Sequence, residues 1–409
     1  MTRMDTPLVG MGSITQIQLK NTNPMSYNPD LTTMGMRWTS RDALTVFLIA
    51  LLLRIVSVAV TTLTSLNTYS QADANGFAQH ANRIANTILS GSFPVLNFND
   101  IYDVWGAMLS PFWLLPGPSR IYARLGMALL GAVAVYNVYV IVRYHHSRYA
   151  GAIAVLPMLF YPSTLFLHAA VLREAMILFG LTSAARLLLK HGPRLTTGQQ
   201  VGLATMFLGI ATILREDNLP VYVLVLAVAV FLKLEPWRRH EYLTKSAAGI
   251  SIVVAPAIVV DYGNDVLDRL VYLRRVRARG RTEYLGSVLP DTIPQAFAFS
   301  WIGAMYFLFT PFPWMVSHVM DFVVMFEGLT NLVYALGVVS GAQVLARKTF
   351  PGTIALVVGV VVGSVLYGLG TVNVGTAVRH RQMILWAIFV LGGIGLAEHI
   401  RIRLPERDI

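Results

Sequence analysis

The chain has 409 residues and a formal net charge of +11, from 32 Lys and Arg against 21 Asp and Glu. Hydrophobic residues make up 55% and charged residues only 13%, against roughly 25% charged in a soluble domain, and the mean hydropathy is +0.59. A water-soluble globule of this size could not cover itself with so few charges, and disorder, collagen-like repeats and a small disulfide scaffold are excluded too.

What remains is an integral membrane protein with many spans. The absence of cysteine removes disulfides, thiolate nucleophiles and Cys-held metals. The basic excess reads either as the positive-inside bias of a polytopic chain or as a site for an anionic lipid or phosphate. No nucleic-acid partner is expected, because no basic soluble domain is present to bind one.

Residues 1–40 are polar, without helical period and without an apolar stretch behind a basic start. They are expected to form a disordered cytoplasmic tail. The first span is predicted over 43–66, with Arg37 and Arg41 ahead of it placing the N-terminus inside. Further apolar runs fall near 121–142, 149–167, 174–189, 200–214, 219–234, 247–262, 322–346, 352–371 and 382–399. This gives about ten spans by the length a bilayer requires, a membrane domain over 41–399 and a short cytoplasmic tail over 400–409.

Charge supports that register. The inside connections carry Arg143, His145, His146 and Arg148, then Lys190 and Arg194, then Lys233, Arg238, Arg239 and Lys245, then Arg347 and Lys348. Each is short and basic, as insertion demands. An even count of spans puts both termini in the cytoplasm of a plasma-membrane protein. Two outer loops, about 67–120 and 263–320, are long. Their apolar pieces, 105–116 and 296–314, are expected to lie at the interface or dip into the protein.

The informative residues are charges on the outer side. Asp73 precedes an amphipathic stretch with Phe77, Ala81, Ile84, Ala85 and Ile88 on one face. It reads as a helix N-cap, as a catalytic carboxylate, or as both. Asp100 and Asp103 follow, as solvated turn residues or as carboxylates for an acceptor or a divalent cation. His168, Arg173 and Glu174 open the fourth span, and Arg215, Glu216 and Asp217 lie between the fifth and sixth. Charges at helix ends snorkel or pair by default. A shared polar cavity explains better why both clusters fall on the side of Asp73.

The arginine-rich run of Arg269, Arg274, Arg275, Arg277, Arg279 and Arg281 violates the positive-inside pattern. Either the topology differs there, or these guanidinium groups recognise phosphate, which they bind bidentately. Arg379 and Arg381 flank His380 after Asn373-Val374-Gly375-Thr376. Gly375 would let backbone N–H groups approach an anion, and His380 is a candidate hydrogen-bonding partner. Acids and arginines near one bilayer surface suit chemistry on a lipid-linked phosphate, with a carboxylate taking the acceptor proton and arginines holding the departing charge.

This layout resembles the GT-C superfamily of polytopic glycosyltransferases, in the branch of protein O-mannosyltransferases and lipid A aminoarabinose transferases. The resemblance runs over roughly 42–235. It rests on Asp73 after the first span with Phe77 and Ala81 beyond, on the interfacial segment from Trp105 to Gly117 before the second span, and on Tyr161-Pro162 ahead of Arg173-Glu174. The later Pro311-Phe312-Pro313-Trp314 and Asn373-Val374-Gly375-Thr376 resemble surface-polysaccharide enzymes.

The resemblance implies an all-α, GT-C-like fold with interfacial helices in the two outer loops. It implies Asp73 as catalytic base, a polyprenyl- or dolichyl-phosphate sugar as donor, and inversion at the anomeric carbon. The acceptor, whether glycan, lipid or protein, stays open, and so does a divalent cation as cofactor. The sequence departs from the family in lacking a second acid beside Asp73, whose neighbours are Ala72 and Ala74, and in lacking a large soluble domain after the last span.

Two other readings compete. A polysaccharide polymerase or ligase would use Arg379 and the 269–281 cluster on a diphosphate-linked glycan and leave Asp73 dispensable. A transporter or flippase would place ionisable groups at mid-membrane; here Arg54 and Glu327 are the charges inside spans.

Overall fold

A computed structural model describes residues 41–64, 71–189, 195–234, 265, 267–278 and 281–400. The predicted tails, the predicted span 247–262, and Lys190, Arg194, Arg238, Arg239, Lys245 and Arg279 lie outside the described residues. What is described is all-helical; its one β feature is an isolated antiparallel bridge between Glu283 and Asn373.

In chain order the helices are α1 (Arg41–Leu63), α2 (Gln71–Leu89), α3 (Ile101–Leu109), α4 (Pro111–Leu114), α5 (Ser119–His145), α6 (Arg148–Phe160), α7 (Pro162–His168), α8 (Glu174–Leu189), α9 (Thr197–Leu214), α10 (Leu219–Leu234), α11 (Ile293–Phe309), α12 (Val319–Leu336), α13 (Val338–Ala346), α14 (Phe350–Gly370) and α15 (Val374–His399). Six of them, α1, α5, α9, α12, α14 and α15, are long and apolar enough to cross a membrane, and the bent pair α6–α7 makes a seventh if it is one span.

Three predicted spans have a different form. The run 149–167 is broken by a 68° bend at Tyr161, where Pro162 opens α7; the residue before a proline is disfavoured in the α region. The run 322–346 divides at Gly337 into α12 and α13. The last helix begins at Val374, eight residues ahead of the predicted 382. Its first turns therefore carry Arg379 and Arg381 into the bundle, where both are buried. Runs of apolarity could not show this, because charges that find partners in the protein interior look like breaks in a span.

α15 is the axis of the fold. It packs on α6, α12, α13 and α14, and nearly all its residues are buried. Small residues allow that closeness: a Cβ on Gly337 would stand 2.7 Å from the Gly392 carbonyl oxygen. On its other side α1 packs against α5, and α5 against α8.

Contacts between helix ends sort the bundle into two ends. At one, Asp42 of α1 pairs with Arg143 of α5 at 3.0 Å, and His145 Nε2 lies 3.1 Å from the Leu189 carbonyl at the end of α8. There too His146 meets Glu398 of α15 at 2.6 Å, and Lys233 of α10 donates to Gln200 of α9 at 3.0 Å. At the opposite end stand the start of α2, the start of α8, the end of α9, the end of α14 and the start of α15. α11 packs beside the latter end: Phe307 stacks on Tyr367 at 5.3 Å, and Arg274 lies over Phe299 at 4.7 Å.

Candidate functional site

Asp73 lies in the first turn of α2 and Glu174 is the first residue of α8, positions where the exposed amides of a helix start favour negative charge. Arg379 lies on the second turn of α15. Its Nη1 donates to Asp73 and its Nε to Glu174. One guanidinium thus joins carboxylates that are far apart in sequence. The two acids differ in environment: the Glu174 side chain is 1% exposed, that of Asp73 35%. Glu174 anchors the arginine from inside, and Asp73 is the carboxylate that solvent or substrate can reach.

The sequence reading missed Tyr102. Its hydroxyl donates to Asp73 Oδ1 at 3.2 Å, and its ring packs on Phe77 at 4.8 Å. Burial, and then the charge of Asp73, pushes the Tyr102 phenol up, so it remains a donor at neutral pH. Gly76 makes room for that ring; a Cβ there would lie 2.6 Å from it. The signal was available in the sequence, since Tyr102 stands between the two acids already singled out.

Arg173 Nη1 donates to the Leu214 carbonyl at 2.6 Å, tying the start of α8 to the end of α9. Arg215, next in the chain, is buried, and its Nη1 has no hydrogen-bond partner. His380 is buried, its ring 5.1 Å from that of Tyr367, and its Nδ1 has no partner. The charges of Arg215, Arg379, Arg277 and Arg173 all act on His380. Among the groups that are at least half-buried here, four guanidinium groups face two carboxylates; Glu216 and Asp217 are exposed in the adjoining turn. A low-dielectric site with that excess of positive charge is suited to an anion.

Other expected site residues are placed elsewhere. Arg381, two residues along a helix of 3.6 residues per turn, points away from Arg379. It pairs with Glu327 at 3.2 Å and donates to the Thr310 carbonyl at 2.7 Å. Arg274 is buried, and its three nitrogens donate to the carbonyls of Val288, Leu369 and Leu285 at 3.0, 2.8 and 2.5 Å. It braces the backbone around α14. Arg275 is exposed. Gly375 does not offer its N–H outward, because the Asn373 side chain caps it at 2.9 Å. The same segment pairs with the end of the arginine run, Tyr284 N–H to Val372 O at 2.9 Å and Val374 N–H to Thr282 O at 3.0 Å.

Asp100 caps α3 by accepting from the Tyr102 N–H at 2.9 Å. Asp103 is buried, 2.8 Å from His80 Nδ1, paired with Arg83 and accepting from the Asn97 N–H at 3.0 Å. The Asn97 N–H, with His80 and Arg83, outweighs burial and holds its carboxyl below the ordinary aspartate range. His80, Asp100 and Asp103 bring ligand atoms within 4.8 Å of one another. The Arg83 guanidinium, however, already sits on the Asp103 oxygen that His80 approaches, and these contacts stitch α2 to α3 rather than form a cation cage.

The chain matches no family model, no curated protein and no solved structure.

Proposed function

We propose that the chain is an integral-membrane glycosyltransferase of GT-C type that moves a sugar from a polyprenyl- or dolichyl-phosphate donor to an acceptor at the outer bilayer surface. The observation that carries this is Arg379 joining buried Glu174 to half-exposed Asp73, with buried Arg215 holding an unpartnered Nη1 at the same end of the helical bundle. The ten-span topology with both termini inside belongs to this proposal. It counts α8 and α10, of 16 residues each, the bent pair α6–α7, and 247–262 as spans.

In this reading the lipid phosphate is held by Arg215 and Arg173, with Arg379 between it and Asp73. Asp73, paired with Arg379, takes the proton of an acceptor hydroxyl as the hydroxyl oxygen bonds to the anomeric carbon. The bond from that carbon to the phosphate oxygen breaks on the opposite face, the electron pair leaves on the phosphate, and the arginines stabilise it. Attack from the face opposite the leaving group inverts the centre. Asp73 returns its proton to water.

The fourth arginine, Arg277, favours one alternative, a diphosphate-linked glycan as donor for a polymerase or ligase. Proteoliposomes holding the full chain decide between them when supplied with radiolabelled polyprenyl-phosphate hexose or polyprenyl-diphosphate oligosaccharide. The proposal expects transfer from the monophosphate donor, reduced by 10²–10⁴ in Asp73→Asn, the range for loss of a general base. Full transfer by both Asp73→Asn and Arg379→Ala would overturn it.

A further inference from the structure

A second feature starts beside the charged site and runs away from it. A cleft of about 370 Å³ runs along α10 and α14 and is backed by α8 and α15. Its walls are apolar, with Val225 and Ala229 of α10 facing Leu356 and Val360 of α14. From Val221 to Lys233 it follows α10 for about 18 Å at 1.5 Å per residue, a large part of a bilayer's hydrocarbon thickness of about 30 Å. Gly359 and Gly363 of α14 line it.

Its two ends differ. One is closed by a neutral cluster: the Asn218 amide donates to Tyr222 at 2.7 Å, and the Tyr367 hydroxyl donates to Asn218. Asn218 and Tyr222 are buried. These groups are hydrogen-bonded to one another, and none carries a charge to hold an anion. The other end carries Lys233 and Lys348. Lys233 is half-buried and donates only to the neutral amide of Gln200; Lys348 is exposed. Among the described residues no carboxylate pairs with either lysine. Positive-inside bias accounts for a solvated lysine, not for one turned into an apolar slot.

We infer that this cleft binds one anionic glycerophospholipid, an acyl chain lying between α10 and α14 and the phosphate held by Lys233 and Lys348. The direction follows from the ends: the chain terminus meets the closed Asn218–Tyr222–Tyr367 cluster, and the charge meets the ammonium groups. The phosphate end of the cleft is at the opposite end of the bundle from Arg215 and Arg379, while its chain end abuts Tyr367 beside His380; the inference stands without the transferase reading.

The test uses the full chain, delipidated in detergent and examined by native mass spectrometry with added dioleoyl phosphatidylglycerol, dioleoyl phosphatidylcholine or polyprenyl phosphate. The expected result is one phosphatidylglycerol per chain. Lys233→Gln and Lys348→Gln each weaken it about fivefold, the effect of one lysine near an anionic headgroup, and leave phosphatidylcholine unaffected. Ala229→Phe, which fills the slot without touching charge, abolishes binding. Should that variant fail to fold, the lysine variants decide alone. The inference is overturned if both lysine variants bind phosphatidylglycerol like the parent, or if polyprenyl phosphate displaces it one for one.

Discussion

The two acids on Arg379 are expected to respond oppositely to mutation, and the reason is their exposure. Glu174 is 1% exposed and Asp73 35%. Arg379→Met strands a buried carboxylate, and breaking a buried pair from one side costs about 3–5 kcal/mol. Arg215 and Arg173 also act on Glu174 and bring the cost toward the lower figure. Asp73→Asn removes a pair that water already screens, worth about 0–1 kcal/mol. The double variant Glu174→Gln, Arg379→Met removes both buried charges together, and well-packed neutral replacements of such pairs are often close to neutral.

Thermal denaturation of the four proteins in one detergent, followed by circular dichroism, measures this. The expected order has Asp73→Asn close to the parent, Arg379→Met far below it, and the double variant recovering much of the loss. Donor turnover should be lost in both Asp73→Asn and Arg379→Met. If Asp73→Asn is as unstable as Arg379→Met, Asp73 is a structural cap and the division of labour between the two acids is wrong. If the double variant is no more stable than Arg379→Met, Glu174 and Arg379 are not coupled.

Two more outcomes follow from the packing. Gly131 of α5 faces Arg54 and His168, and a Cβ there would stand 2.7 Å from Arg54 Nε, so Gly131→Ala should destabilise by about 1–3 kcal/mol, as overpacking does; an unchanged melting temperature would show that the Arg54–His168 contact can move aside. Asp103 has a lowered pKa in the folded chain, so its stabilisation is complete above the unfolded aspartate value of about 3.9 and disappears as pH falls through the lower folded value. Emission from buried Trp105 on α3 should therefore hold steady from neutral pH to about pH 4 and shift only below it, whereas Asp103→Asn should show the shifted emission already at neutral pH.

The sequence made the membrane class legible because apolar runs of bilayer length need no knowledge of partners. It also made Asp73, Arg173, Glu174, Arg215, Arg379 and His380 legible as one cluster, since charges at alternate ends of successive spans must share a side. What it could not convey is which arginine meets which acid. Arg379 and Arg381 look equivalent in the chain, yet helical rotation sends one to Asp73 and Glu174 and the other to Glu327. Arg274 looked like a phosphate ligand by its company, but it bonds three backbone carbonyls. Nothing in a linear string records that Arg274 would reach those carbonyls. The break at Gly337 was equally hidden, because a glycine inside an apolar run signals close helix packing as readily as an end.

The placement of ionisable groups also bears on the choice between surface chemistry and a transport path. A transporter needs mid-membrane charges that change partners. The charges inside the spans here are held from several directions. Arg54 is fully buried and donates to His168 Nδ1 at 3.3 Å and to the carbonyls of Ala50 and Met158 at 3.1 Å each. Glu327 accepts from the Ser163 N–H at 2.9 Å, from its hydroxyl at 2.6 Å and from Arg381. Releasing either group would expose several buried polar atoms at once, a cost of about 1–3 kcal/mol for each. Buried nitrogens without a partner include Arg215 Nη1 and His380 Nδ1 at the outer end of the bundle, and also His168 Nε2 and Gln382 Nε2. Arg54 and Glu327 are thus held in place, which argues against a transport path that depends on either changing partners.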